Sequence, residues 1–130
     1  MAATASSVVT VELDAERAHL ARGRLAGLGN VELLEGDWRA LLPPRAPFEL
    51  VFLDGGGVKQ KPDEHLPHAV ALLAPGVVLV LDDFTPDREV GDPARAAIAA
   101  HPNLVAVEIL TTATSAAILA ARVEAASSGM

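Results

Sequence analysis

The chain is expected to fold as an α/β domain whose mostly parallel sheet ends in an antiparallel hairpin. Three observations lead there. First, four short apolar runs each stop on a carboxylate: Val8-Val-Thr-Val-Glu12, Val31-Glu-Leu-Leu-Glu-Gly-Asp37, Phe48-Glu-Leu-Val-Phe-Leu-Asp54 and Val77-Val-Leu-Val-Leu-Asp-Asp83. Second, stretches with helical spacing separate these runs, which is the pattern of strands joined by helical crossovers. Third, the last two runs, about 104–111 and 115–122, lie too close together for a crossover and should pair antiparallel. In an open α/β sheet, ligands bind just beyond the carboxyl ends of the strands. Glu12, Asp37, Asp54, Asp82 and Asp83 are therefore expected along one rim.

The elements follow in order. The first strand of this chain is about 8–12. Asp14 can cap a helix over about 15–27, because its carboxylate can accept from the free N–H groups of the first turn. Ala18, Ala21, Leu25 and Leu28 form its apolar stripe, and Glu16, Arg17, Arg22 and Arg24 its solvated face. Gly27 or Gly29 can supply a left-handed residue that ends it. The second strand, about 31–35, leads into Gly36-Asp37-Trp38 and a helical turn over 39–42, which Pro43-Pro44 breaks. The third strand is about 48–53, followed by a loop over 55–62. Leu66, Ala69, Val70 and Leu73 mark the next helix, which should start near residues 63–66 so that Pro67 falls in its first turn. Pro75-Gly76 turns the chain into a strand at about 77–82. Asp92-Pro93 is a strong helix start, and Pro102 follows that helix after about residue 100. One domain over 1–130 is expected, with a frayed tail at 123–130.

Composition narrows the function. The chain has 130 residues and a formal net charge of −7. An acidic domain without a basic stripe argues against nucleic acid and against an anionic membrane surface. Cysteine is absent, which excludes disulfides and thiolate metal sites. No run reaches the roughly 18 apolar residues of a membrane span, and the N-terminus lacks the pattern of a signal peptide. A soluble cytoplasmic protein is the expectation.

The segments "VVTVELDAERAHLARGRL", "NVELLEGDW", "FELVFLDG", "LLAPGVVLVLDDFTP" and "LVAVEIL…SAAILAAR" together resemble class I S-adenosylmethionine-dependent methyltransferases. The closest likeness is to the O-methyltransferase branch with the catechol and caffeoyl-CoA enzymes. The resemblance covers about residues 8–122. It implies a Rossmann-like sheet ordered 3-2-1-4-5-7-6, of which this chain would supply strands two to seven. The family's glycine-rich loop after strand one has no counterpart before Val8, so the first strand looks missing and the domain N-terminally truncated. The loss would leave apolar strand edges open, so that either strands two and four close onto each other or another chain fills the slot, as in a homo-oligomer through those edges.

The resemblance also implies roles. Glu12 would receive the ribose hydroxyls of S-adenosylmethionine, Asp37 the adenine amino group, and Trp38 would lie beside the adenine ring. Asp54, Asp82 and Asp83 match the acids that hold Mg²⁺ in the metal-dependent members, with Asp54 and Asp82 the catalytic candidates and Asp54 also near the cofactor. Relatives often carry a lysine three residues after the first of these acids; here that position is Gly57, and Lys59 and Lys61 are out of register.

Plainer readings stand beside these. Glu12 can be a solvated strand end and Asp37 a turn residue. Gly55-Gly56-Gly57 matches no phosphate-binding pattern and reads as a flexible loop. His19, His65, His68 and His101 read as surface residues, and Asp87-Arg88-Glu89 as a solvated loop. Two other functions fit less fully. One is a non-catalytic remnant or interaction module that binds no cofactor. The other is a nicotinamide dinucleotide domain, which the missing Gly-x-Gly-x-x-Gly and the antiparallel end disfavour.

Overall fold

A computed structural model of the chain describes residues 5–54, 57–86 and 92–124. It divides into two compact units, 1–45 and 46–130. Asp87-Arg88-Glu89, Gly55, Gly56 and the tail from residue 125 lie outside the described residues.

The first unit holds β1 (Val8–Glu12), α1 (Ala15–Leu25), β2 (Val31–Glu35), α2 (Trp38–Leu41) and a 3₁₀ turn at Pro43–Arg45. β1 and β2 pair in parallel, from Val8 opposite Val31 to Glu12 opposite Glu35. Asp14 caps α1 as expected, accepting from the Arg17 N–H at 2.8 Å. Of the expected stripe, Ala18 is fully buried, Ala21 and Leu25 are half-buried, and Leu28 is exposed. The end of α1 differs from the expectation. The helix stops at Leu25 with Ala26 still right-handed, and neither Gly27 nor Gly29 has a positive φ. The Leu28 N–H instead closes the last turn on the Leu25 carbonyl at 2.9 Å. A doubly hydrogen-bonded ion pair from Arg45 to Glu32 ties the 3₁₀ turn to β2.

The second unit holds β3 (Phe48–Leu53), α3 (Pro62–Ala71), β4 (Leu73–Phe84), α4 (Pro93–Ala100), β5 (Leu104–Leu110) and β6 (Ala116–Arg122). Its four-stranded sheet has the order β3-β4-β6-β5. β3 and β4 are parallel, whereas β6 runs antiparallel to both β4 and β5. Within each sheet the sequence of neighbours is that of the expected order: 3-2 in the first unit and 4-5-7-6 in the second.

The register sorts the side chains of this sheet into two faces. One carries Val51, Leu53, Leu79, Leu81, Ile118 and Ala120, all buried together with Leu66, Val70 and Ile98 of α3 and α4. The opposite face carries two apolar rows, Leu50-Val78-Ala121-Val105 and Phe52-Val80-Leu119-Val107. Their outer members, Leu50, Phe52, Val105 and Val107, are exposed.

Three local details depart from expectation. α3 begins at Pro62, so Pro67 lies inside it. Proline at the start needs no N–H partner, and Pro67 points outward, where the unmatched Asp63 carbonyl of the preceding turn can meet water. Leu73 belongs to β4 rather than α3, opposite Phe48 and fully buried. The register then jumps to Leu50 opposite Val78, and the extra residues around Pro75-Gly76 are taken up as an irregularity within β4, with Gly76 at φ 81. His65 is buried rather than on the surface. His19 and His68 are exposed as expected, and His101 is half-buried, its Nδ1 accepting from the Asn103 N–H at 3.1 Å. At the C-terminus, Val123 is fastened by an N–H donated to the Asn103 carbonyl at 2.8 Å.

Candidate functional site

In the first unit, the parallel register brings Glu12 and the Gly36-Asp37-Trp38 segment to the same end of the strand pair. The Gly36 N–H donates to the Glu12 carbonyl at 2.9 Å. Gly36 has φ 142, and a Cβ there would sit 2.9 Å from Leu41 Cδ1, so only glycine lets the chain turn here toward Asp37. Glu12 is half-buried, and its Oε1 accepts from the Asp14 N–H at 3.1 Å. It also lines a concavity of about 390 Å³ with Arg17, Leu20, Ala21, Arg24 and Leu25 of α1.

Asp37 is the N-cap of α2, and Arg39 helps to hold it. Its Oδ1 accepts from the Arg39 backbone N–H at 2.9 Å, and its Oδ2 from Arg39 Nη2, also at 2.9 Å. Sequence reading missed Arg39; the signal was an arginine two residues after a helix-capping aspartate. Trp38 opens α2 and is half-buried.

In the second unit, Leu53 of β3 lies opposite Leu81 of β4, so Asp54 and Asp82 follow at adjacent carboxyl ends. Asp82 Oδ1 accepts from the Asp83 N–H at 2.8 Å. Asp83 has φ 66, a left-handed conformation uncommon for a residue with a Cβ. The same point breaks the β4–β6 register between Leu81 and Phe84. Among the described residues, no three His, Asp or Glu side chains are grouped to hold a metal ion. Asp54, Asp82 and Asp83 thus reach one end of the sheet without converging.

A lysine stands beside them instead. Lys59 Nζ donates to the Asp83 carbonyl and lies 4.8 Å from the centre of the Phe84 ring. Arg95 lies 5.5 Å from the same ring, donates to the Thr85 carbonyl at 3.1 Å and pairs with Glu108 at 2.7 Å. The carbonyls on both sides of buried Phe84 therefore accept from cations. The resemblance pointed to residue 57 for a lysine and left Lys59 out of register. Gly57 has φ 84 and packs against the His65 ring, and Val58 is fully buried, so the first outward side chain of the loop is Lys59.

Comparison with known proteins fits this arrangement. A family model described as a methyltransferase domain matches residues 1–84. Among solved structures, the chain is similar to cofactor-bound Rv0187 from MTB, at 28% identity and a TM-score of 0.69, covering 91% of this chain and 62% of that protein. It is also similar to the O-methyltransferase TomG from Streptomyces achromogenes, involved in tomaymycin synthesis and solved with SAM, at 26% identity and a TM-score of 0.67, covering 91% and 62%. An O-methyltransferase from Bacillus cereus in complex with SAH matches at 25% identity and a TM-score of 0.67, covering 89% and 62%. The chain thus spans about 62% of the length of each of these proteins. No curated protein matches it in sequence. The capped strand ends, the strand order of each sheet and these matches converge: the chain belongs to the methyltransferase-domain family, with the Rossmann-like fold of the class I S-adenosylmethionine-dependent enzymes.

Proposed function

We propose that this chain binds S-adenosylmethionine and serves the methylation of a hydroxyl oxygen on a small molecule. The observation that carries the reading is the pairing of Glu12 with the Gly36-Asp37 turn at one end of the β1–β2 pair. Two of the similar proteins are O-methyltransferases solved with SAM or SAH, which supports the same ligand here. When bound, S-adenosylmethionine supplies a methyl group on a sulfonium sulfur, which the acceptor oxygen takes as the sulfur–carbon bond breaks and the hydroxyl proton passes to water.

The residues present suit that ligand. Glu12 uses Oε1 to hold the Asp14 N–H and has Oε2 to accept from a ribose hydroxyl. Asp37, oriented by Arg39, would face the adenine amino group, and the Trp38 ring would cover the base. The carboxylates of Glu12 and Asp37 at the end of the β1–β2 pair also favour a cationic sulfonium over an anion. Metal assistance by Mg²⁺ at Asp54, Asp82 and Asp83 would need three converging oxygen donors. Their side chains form no such group, so no step is drawn through a metal.

The test is transfer of a labelled methyl group from S-adenosylmethionine to a panel of small phenols. Transfer by the full chain, lost in Glu12→Ala, supports the reading; transfer unaffected by Glu12→Ala overturns the role of this site. Cofactor binding without transfer to any acceptor would favour a non-catalytic module.

A further inference from the structure

We propose that the open face of the β3-β4-β6-β5 sheet is the interface of a two-fold dimer, and that the partner it fits is a second copy of this chain. The inference concerns the second unit alone and does not depend on the methyltransferase reading.

The register builds this face from hydrocarbon side chains only. The rows Leu50-Val78-Ala121-Val105 and Phe52-Val80-Leu119-Val107 cross all four strands, and Ala117-Ile109 extends them on β6 and β5. The outer strands stand proud. Leu50 and Phe52 on β3 are 44% and 47% exposed, and Val105, Val107 and Ile109 on β5 are 62%, 57% and 45% exposed. Between them, Val78, Val80, Leu119 and Ala121 are half-buried and Ala117 is buried. The face is a shallow trough over β4 and β6, walled by two apolar ridges about 14 Å apart at three strand spacings.

Area, charge and relief select the occupant. The exposed apolar surface amounts to on the order of 600 Å² per chain, at the top of what a monomer leaves as one patch. Two copies together reach the roughly 1,200 Å² at which specific interfaces begin. The face offers no charge to a charged partner, and a net charge of −7 opposes an anionic membrane surface. A two-fold contact needs a surface that matches itself. Here the β5 ridge of one copy fits the trough of its partner, while the partner's ridge fits the trough of the first. Sheets stacked in this way lie about 10 Å apart with interdigitated side chains, the packing of a sandwich core.

The experiment is sedimentation of the full chain over a micromolar concentration series, with two variants on the face. Wild type is expected to form a closed dimer. Val107→Lys should raise the dimer dissociation constant on the order of a hundredfold, since each dimer would bury the ammonium twice. Ala121→Leu adds apolar surface but fills the trough, and should weaken the dimer on the order of tenfold. Circular dichroism checks the fold of each variant. A third arm uses a mild substitution and the absence of native cysteine: Val107→Cys supplies the only thiol. Its reaction with a maleimide should slow as concentration rises, whereas His68→Cys, exposed on the helix that packs against the opposite face, should react at a constant rate. A wild type that stays monomeric at 100-fold the starting concentration overturns the inference, as does a dimer that Val107→Lys leaves intact. A dimer tightened by Ala121→Leu overturns the ridge-in-trough fit. A monomer that binds neutral lipid vesicles, or open-ended larger assemblies, overturns the second copy as the occupant.

Discussion

Replacing Gly57 by alanine should damage the second unit in two separable ways. The first is backbone strain. At φ 84 an L-residue costs about 1–2 kcal/mol more than glycine. The second is a collision, because a Cβ on residue 57 would lie 2.8 Å from His65 Nε2 and 2.9 Å from Cδ2. His65 is only 8% exposed, so its ring cannot swing freely into water. Overpacking of this kind costs about 1–3 kcal/mol. Gly76 is the internal control: its φ is 81, and nothing lies within 4 Å of a Cβ built there. Gly76→Ala should therefore carry the strain alone, and both substitutions gain equally from a stiffer unfolded chain. The difference between them isolates the collision at about 1–3 kcal/mol. Hydrogen exchange of the Leu79 and Leu81 amides reads the stability of this unit directly. Adding His65→Ala to Gly57→Ala should recover part of the loss, giving a favourable coupling in a double-mutant cycle. The reasoning is refuted if Gly57→Ala costs no more than Gly76→Ala, or if the His65 substitution recovers nothing.

Further outcomes follow from the same geometry. Asp92 is nearly buried and caps α4, accepting from the Ala94 N–H at 3.0 Å; Asp92→Ala should cost about 1 kcal/mol in chemical denaturation. Asp37→Ala removes the α2 cap and the Arg39 pair, and should shift the fluorescence of Trp38, the sole tryptophan, toward the red by loosening the first turn of α2. The Arg45 guanidinium hydrogen-bonded to Glu32 holds that carboxyl below its ordinary value of 4.5. A lowered folded value contributes stability above pH 4.5 that fades as pH falls through the folded pKa. Both groups are solvent-exposed, so the effect is small, and Glu32→Gln should flatten the acid limb of the melting-temperature profile.

The strands were legible because their signals are local. Apolar runs ending on acids placed β1, β2 and β3 to the residue, and Asp14 and Asp92-Pro93 announced α1 and α4 through the chemistry of their caps. The spacing of the last two runs was enough for the β5–β6 hairpin. What escaped depends on partners distant in sequence. Leu73 fits the helical stripe of α3 equally well, and only Phe48 on the neighbouring strand draws it into β4. His65 sits one residue before Leu66 on that stripe, so its burial could have been read from helical spacing, but its contact with Gly57 could not. Lys59 was set aside as a general base because it is out of the family's register, and its contact with the Asp83 carbonyl, 24 residues on, is not written in that spacing. The three acids were read as one metal site from their places at strand ends. The left-handed Asp83 and the Asp82 side chain bent onto its N–H separate them, and neither is written in the strand pattern.

Calorimetric titration of the full chain with S-adenosylhomocysteine tests the central claim most directly. The expected result is saturable binding at about one ligand per chain, weakened on the order of tenfold or more in Glu12→Ala, since a carboxylate hydrogen bond to a ribose hydroxyl is lost. No heat and no thermal shift at millimolar ligand, or binding that Glu12→Ala leaves untouched, would contradict it.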